Sequence, residues 1–223
     1  MLRLNEFLKT KRKGSMGCML IGMLFILCFI TITVYKMEER KAYYIKKTND
    51  NAVILSLMAA NVVDLYEYAS TSEILYDACY TDAEGRFSSF YGNCSSAQFE
   101  YGTKEAYTKA KNRFVTAFLT NGDMKLLNGS TESFVHNNDP SKEIYNEIVL
   151  KEFKIYNVYK GHLYSYNGTT FTDEGTLAEG DKKTETGYPI VCSGLYVEID
   201  YKISILGKQK DMKIKQFVDM ALS

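Results

Sequence analysis

The sequence feature that most constrains the fold is an uncharged, apolar segment near the N-terminus. Residues 15–35 are 21 consecutive residues without an acidic or basic side chain. A helix of that length, at about 1.5 Å per residue, spans roughly 30 Å, which is the thickness of the hydrocarbon core of a bilayer. Because lipid offers the backbone no hydrogen-bond partner, a spanning segment of this kind is helical. The pattern therefore predicts a transmembrane helix over residues 15–35.

A cleaved signal peptide is the alternative interpretation of such a segment. The apolar region of a signal peptide usually has about 7–15 residues and ends at a cleavage site of small residues. Here the apolar run is longer and is followed by Lys36, Glu38 and Glu39, which favours an uncleaved anchor. The basic run 11–13 adjoins the other end of the segment. Since positive charge is retained inside the cell, we expect a cytoplasmic N-terminus and an extracellular C-terminal domain.

Beyond the anchor, the helical pattern continues before it gives way to irregular sequence. Apolar residues recur at spacings of three, four and seven, and no Gly or Pro occurs between Gly22 and Gly85. This spacing predicts a stalk helix over residues 36–70. The predicted organisation is a basic leader, a transmembrane helix, the stalk helix and an extracytoplasmic α+β domain, over residues 1–14, 15–35, 36–70 and 71–223.

The extracytoplasmic part combines a helix with a series of strands. A helix is predicted over residues 104–119, with Asn121-Gly122 as its C-terminal stop. Apolar and polar residues alternate over 195–205, which predicts a strand with one buried and one solvated face, and Glu198 and Asp200 would be neighbours on the solvated face. Further strands are predicted over 124–127, 148–159, 163–166, from 169 onward and over 212–220.

The turns join these strands into antiparallel pairs. Asn167-Gly168 is typical of a two-residue hairpin turn, because both residues tolerate a positive φ. Residues 207–210 are expected to turn the chain between the last two strands. The predicted fold class is α+β: a transmembrane helix that continues into a stalk helix, then a small antiparallel β-sheet domain packed with one or two helices.

Three cysteines follow the anchor, and they suggest one disulfide. Cys79 and Cys94 flank a 14-residue loop without a regular pattern. Outside the reducing cytoplasm they would close this loop and stabilise the fold by about 3 kcal/mol. Cys192 then remains as a single thiol, whereas Cys18 and Cys28 lie in the anchor as apolar residues.

An anchored enzyme of the sortase-like transpeptidase class is the most specific catalytic alternative. It would use Cys192 as nucleophile and His136 as its partner. That family also needs an arginine after the cysteine, and the last arginine in this chain is Arg113. His136 and His162 have no ligand at a recognised metal spacing. We therefore predict no catalytic, cofactor-binding or metal site.

The net charge is zero at neutral pH. A nucleic-acid-binding domain usually carries a clear basic excess on its surface, so this balance argues against such a partner.

Three stretches of the sequence together resemble a known family. They are KRKGSMGCMLIGMLFIL at the anchor, NDNAVILSLMAANVVDLYEYAS in the stalk and SGLYVEIDYKISILGKQKDMKIKQFVDM near the end. The chain resembles the TadE/TadG-like proteins of tight-adherence pilus systems in Gram-positive bacteria, which follow the plan of type IV pilin-like proteins. The resemblance implies a minor pilin or pilus-assembly protein whose partners are the lipid bilayer, other pilin-like or assembly subunits and further copies of itself.

The resemblance also implies processing of the leader by a prepilin peptidase, between Gly14 and Ser15. Pilin cleavage sites have a glutamate at the fifth position after the glycine, and this chain has Met19 there. The departure concerns the processing site and leaves the implied plan of anchor, stalk and β domain unchanged.

The sequence as a whole predicts a non-enzymatic, single-pass protein of the cell membrane that acts in pilus or secretion-system assembly through protein–protein contacts. The alternative is a membrane-anchored ligand-binding or sensor ectodomain. That alternative predicts that a small molecule raises the melting temperature of the extracytoplasmic part.

Overall fold

The computed structural model describes residues 2–71, 96–137, 147–159, 162–176, 183–184, 187, 189–190 and 193–219. Within these residues the chain forms two helices and seven strands. In chain order they are α1 (Leu2–Thr71), α2 (Ser96–Asn121), β1 (Met124–Leu126), β2 (Ser133–His136), β3 (Ile148–Tyr159), β4 (His162–Tyr166), β5 (Phe171–Thr176), β6 (Gly194–Ile205) and β7 (Lys208–Asp219).

The chain divides into two compact units, Met1–Tyr44 and Ile45–Ser223. The first unit consists of the N-terminal part of α1. Between Met16 and Tyr35 its large apolar side chains are 44–72% exposed, and the most apolar 18-residue window has a mean hydropathy of 2.5 with none of it buried. α1 therefore has the length and composition of a membrane-spanning helix, as the sequence predicted.

The second unit contains one antiparallel sheet with β3 at its centre. β3 pairs with β6 along one edge, and β2 and β4 both pair with its other edge. The remaining pairs are β1 with β2, β4 with β5 and β6 with β7. Long strands rich in β-branched and aromatic residues favour this extended pairing, and the predicted α+β class is confirmed.

The main core lies between this sheet and the helices. Phe114 and Phe118 of α2 are fully buried and stack with their ring centres 5.6 Å apart. Four residues of α1 belong to the same buried cluster, namely Ala52, Val53, Leu57 and Ala60. Their spacing of one, four and three residues places them on one side of the helix. Within residues 52–60, this side of the predicted stalk thus packs in the core of the second unit.

The face of the sheet away from the helices is less solvated than the alternation in β6 predicted. Tyr196 is fully buried, and Glu198 is only 8% exposed. Leu163 and Ile190 form a second buried cluster with Tyr196, and Phe217 packs against that cluster. The prediction of a wet face is therefore wrong for the first half of β6, because distant residues cover it.

Element boundaries differ from the predictions at the turns and at α2. α2 begins at Ser96, eight residues before the predicted start. β4 and β5 are joined by four residues, 167–170, because the side-chain oxygen of Asn167 accepts hydrogen bonds from the backbone N–H groups of Thr169 and Thr170. The last two strands turn at Leu206 and Gly207, whose φ angles are 52° and 74°, so this turn is shorter than predicted.

Candidate functional site

Several residues singled out in the sequence lie where the structure gives no side-chain geometry. Gly14 and Ser15 are part of α1, and their side chains are outside the described part. Cys79, Cys94 and Cys192 are outside the described residues altogether. Leader processing and the Cys79–Cys94 disulfide therefore stay predictions.

The two histidines lie apart in the chain and occupy different strands. His136 is the last residue of β2, and His162 is the first residue of β4. His162 Nδ1 is 3.4 Å from Asp173 Oδ1 across the β4–β5 pair. Within the ranges that the structure describes, no group of three His, Cys, Asp or Glu side chains could hold a metal ion. Arg113 lies on α2, where burial lowers the pKa of its guanidinium.

Glu198 and Asp200 do lie on one face of β6, and each meets a lysine of β7. Lys215 Nζ is 2.8 Å from Glu198 Oε2, and Lys213 donates a hydrogen bond to Glu198 Oε1. Burial alone would raise the pKa of Glu198, but the two lysine hydrogen bonds outweigh it and lower that pKa. Lys213 is also 3.7 Å from Asp200. The charges compensate one another, as in a structural cluster.

Two open cavities lie on the sheet. The first, about 440 Å³, extends over β3, β6 and β7 and is lined by residues that include Val149, Asp200 and Lys213. The second, about 460 Å³, lies at one edge of β3 and is lined by residues from α2, β3, β6 and two loops. The second cavity has an open strand edge as its floor, which makes it the stronger candidate for a functional site.

The open edge arises because β2 and β4 cover only the two ends of β3. β2 pairs with β3 at Ile148 and Val149, and β4 pairs with it from Ile155 onward. The N–H of Leu150 donates to the carbonyl of Glu132 at 2.8 Å. Among the described residues, no strand pairs with residues 151–153 at this edge. We call the cavity above these three residues the β3 notch.

A β-bulge shapes the floor of the β3 notch. The register between β3 and β6 shifts between Leu150 and Glu152, so Lys151 is an extra residue on β3. Lys151 is exposed and lines the notch. Bulges of this kind bend the strand and re-aim its side chains.

The walls of the β3 notch come from α2 and from the loop after β4. The ring of Tyr107 contacts the rings of Phe153 and Tyr166 edge-on, at 5.6 and 5.1 Å between ring centres. Gly168, with φ of 95°, lies directly against the Tyr107 hydroxyl. The residues that line the notch are Tyr107, Lys111, Glu132, Leu150, Lys151, Glu152, Phe153, Asn167, Gly168, Thr169 and Glu198.

An ion pair stands at the mouth of the notch. Lys111 Nζ is 2.7 Å from Glu132 Oε1 and 6.0 Å from the centre of the Tyr107 ring. Burial acts to lower the pKa of Lys111, but Glu132 and Tyr107 together raise it, so this lysine is charged at neutral pH. Burial also raises the pKa of Tyr107, whose hydroxyl therefore stays protonated.

Sequence reasoning identified none of these residues as a site. Tyr107 lies within the helix predicted over residues 104–119, and Lys111, Glu132 and Glu152 have no motif around them. The nearest signal was Asn167-Gly168, which marks the loop that forms one wall. The lining residues come from five separate stretches of chain, so only the folded sheet brings them together.

Comparisons of the chain with protein-family models, with curated proteins and with solved structures gave no match. The chemistry of the β3 notch therefore has to indicate its function. Polar side chains around an unpaired strand edge offer hydrogen bonds to a polypeptide backbone.

Proposed function

We propose that this protein is a membrane-anchored component of a pilus or secretion system, a minor pilin-like or assembly protein that acts through protein–protein contacts. In this proposal the N-terminus is cytoplasmic and the α+β domain extracellular. The observation that carries the proposal is the composition of α1. One helix contains an exposed apolar segment of membrane-spanning length and, further along, residues buried in the core of a sheet domain.

The anchor and its flanking charges support the proposed location. The apolar residues of the span face outward over its whole circumference, which suits lipid and is costly in water. The basic run 11–13 precedes the span. On the other side, Glu38 and Glu39 form ion pairs with Lys41 and Lys36, so that flank carries less net positive charge.

The resemblance to TadE/TadG-like proteins supports the assignment to a pilus system. It includes the plan of leader, anchor, stalk and antiparallel sheet. A domain that works by docking needs exposed backbone or side-chain surface, and the β3 notch supplies such a surface. Leader cleavage between Gly14 and Ser15 belongs to the same proposal.

The test is made in the organism's own cells, with the full-length protein. We expect the protein in the membrane fraction. Protease added to intact cells should digest its C-terminal domain. After chemical cross-linking and solubilisation in detergent, pilin-like subunits or subunits associated with a secretion ATPase should co-purify with it. Deletion should reduce surface filaments or secretion. Unchanged filaments and secretion in the deletion strain would contradict the proposal.

A ligand-binding ectodomain makes a different prediction. In a thermal-shift screen of the detergent-solubilised protein, a saturating small molecule would raise the melting temperature. A dose-dependent rise for one chemical class, without any recovered assembly subunit, would replace the proposed function by the ligand-binding one.

A further inference from the structure

We propose that the β3 notch is a docking site for a short extended segment of a partner protein, which adds as a strand fragment to residues 151–153. This inference rests on the proposed function and deepens it, because it names the surface through which the protein contacts its partner. It concerns backbone recognition by an open strand edge, a mode in which main-chain hydrogen bonds provide most of the attraction.

The first argument is the incomplete pairing of β3. This strand has 12 residues, and β6 pairs with it along the opposite edge from Val149 to Tyr156. At the notch edge, pairing stops after Leu150 and resumes at Ile155, and three of the four residues between them, 151–153, line the notch. Among the described residues, nothing pairs with the backbone at the middle of this central strand, where strand edges are normally paired or covered.

The second argument is that the notch is recessed. β2 and β4 both extend from the same edge of β3, on either side of residues 151–153. The flat edge of another whole sheet, including that of a second copy, cannot reach the floor between them. At about 3.3 Å per residue the open edge is about 10 Å long, which fits roughly three residues of a single extended chain.

The third argument is the chemistry of the lining. Small-molecule pockets are mostly apolar with a few polar groups, whereas most residues that line the notch are polar or charged. The lining has three carboxylates, from Glu132, Glu152 and Glu198, and two ammonium groups, from Lys111 and Lys151. Each of these carboxylates is already paired with lysine: Glu132 with Lys111, Glu152 with Lys154, and Glu198 with Lys213 and Lys215. The lining therefore selects the backbone of an extended segment and not a charged side chain.

The bulge and Lys151 also protect the edge against unspecific pairing, because natural sheets use both devices for that purpose. Here they shorten the accessible edge without covering it. A site that admits only three residues binds a short segment but not a long aggregating strand. The edge can therefore be protected against aggregation and still recognise a partner.

The test uses the full-length protein in its own membrane. A photo-reactive amino acid replaces Lys151 in the notch or, as a control, Lys125, which is exposed on β1 outside the notch. Mass spectrometry then identifies the cross-linked partner and the residues that carry the link. We expect a defined adduct from position 151, with the link in a short extended segment, and no such adduct from position 125.

A matched pair of variants tests whether the notch itself is needed. Thr169 and Thr170 are neighbouring exposed residues of the same loop, but only Thr169 lines the notch. Thr169→Trp should fill the notch and lower the adduct yield at least ten-fold, whereas Thr170→Trp should leave the yield unchanged. Both variants should keep the melting temperature of the parent protein.

A synthetic peptide of the mapped segment then tests backbone pairing. We expect at least ten-fold slower hydrogen exchange of the notch-facing amides within residues 151–153 when the peptide is added. The same peptide with N-methyl groups on its central residues keeps its side chains but loses its backbone donors, and it should give no protection. Equal protection by both peptides would overturn strand addition.

The outcomes separate this inference from the proposed function. An adduct that is unaffected by Thr169→Trp, or that maps to a second copy of this chain, rejects the docking site even if assembly subunits co-purify. A Thr169-sensitive adduct with a protein of an unrelated class supports the site and rejects the pilus role. No adduct from position 151 under conditions where assembly subunits co-purify means that the bulge and Lys151 only protect the edge.

Discussion

The hydroxyl oxygen of Tyr107 lies against the backbone of Gly168, at the place where any other residue would put its side chain. A Cβ atom on Gly168 would be 2.6 Å from Tyr107 Oη and 2.9 Å from Cζ. The contact joins α2 to the loop after β4 and forms one corner of the β3 notch. The positive φ of Gly168 is one reason for a glycine at this position, and the contact with Tyr107 is a second.

Gly168→Ala should destabilise the protein by about 2–3 kcal/mol, because it combines a strained positive φ with a clash that forces Tyr107 to move. Gly129→Ala is the matched control: Gly129 also has a positive φ, of 73°, but open space where its Cβ would lie. The control should cost about 1 kcal/mol. Urea unfolding of both variants measures the difference, and equal costs would show that the Tyr107 contact contributes nothing.

Glu198 gives a pH-dependent contribution to stability. Its folded-state pKa is lowered by Lys213 and Lys215, so its contribution is complete above the usual carboxylate pKa of about 4.3 and is lost as the pH falls through the lower folded value. Glu198→Gln should therefore cost about 1–3 kcal/mol at pH 7. The difference from the parent protein should shrink as the pH approaches 3.

Urea unfolding at several pH values between 7 and 3 checks this prediction. Asp211→Asn is the control, because Asp211 is 87% exposed and its ion pair with Lys202 is 3.7 Å long. That variant should change stability by less than about 0.5 kcal/mol. A pH-independent cost of Glu198→Gln would mean that packing, and not the charge, holds this residue.

Asn49 of α1 is a buried amide. Its side chain is 1% exposed and makes no hydrogen bond of good geometry among the described residues, although the amide is close enough to the Tyr201 hydroxyl to act against the rise of that group's pKa. It lies near Tyr201, whose pKa burial and the Asp50 carboxylate raise to about 12. Asn49→Leu removes the unsatisfied groups at similar volume and should stabilise the protein by about 1–2 kcal/mol.

Thermal and urea unfolding measure the effect of Asn49→Leu. Asn51→Leu, two residues further along α1 at an exposed position, should change stability by less than about 0.5 kcal/mol. A loss of stability in Asn49→Leu would show that the amide makes a necessary interaction.

Asn157 connects three elements through its side chain. Its Nδ2 donates to Thr103 Oγ1 of α2 at 3.1 Å, and Ser193 donates to its Oδ1 at 2.9 Å. Asn157 and Thr103 are both fully buried. Asn157→Ala should cost about 2–3 kcal/mol, because it removes two hydrogen bonds and leaves a buried hydroxyl with one partner fewer.

A double-mutant cycle with Thr103→Val isolates the hydrogen bond between them. We expect a coupling of about 1 kcal/mol, and additive effects would contradict the pairing. Asn112→Ala, an exposed substitution on the same helix, serves as control and should be close to neutral.

Extraction from the membrane tests whether residues 15–35 are a spanning helix. Leu24 is near the middle of the apolar segment and is 60% exposed. Leu24→Lys should cost about 3 kcal/mol of insertion free energy, so part of the protein should become extractable with alkaline carbonate. Tyr43→Lys, at an exposed site outside the segment, should remain fully membrane-bound. Equal extraction of the two variants would contradict a spanning helix over residues 15–35.

Local patterns predicted most of the elements. The 12-residue β3 was predicted with the correct ends, and β6 began one residue earlier than expected. β7 begins at Lys208, four residues before its prediction, because the hairpin turn is only two residues long. Helix and strand periods are local properties of sequence, whereas turn length depends on the backbone angles that single residues accept.

The candidate site could not be predicted in the same way. Glu198 looked like a solvated residue because alternation reports only its own strand, and its burial depends on Lys213, Lys215 and the cluster around Tyr196. The β3 notch depends on where β2 and β4 stop pairing with β3. Such stops are set by bulges and loop lengths that have no clear periodic signal.

The amino-acid sequence alone determined the apolar span, the helical stalk that follows it and the strand-rich C-terminal half, because length, charge and periodicity act within a few neighbouring residues. Only the tertiary structure decided which face of each strand is buried, which charges meet and where the central strand keeps an open edge. These properties depend on contacts between residues far apart in the chain, and their energies become defined only when the sheet and its helices pack together.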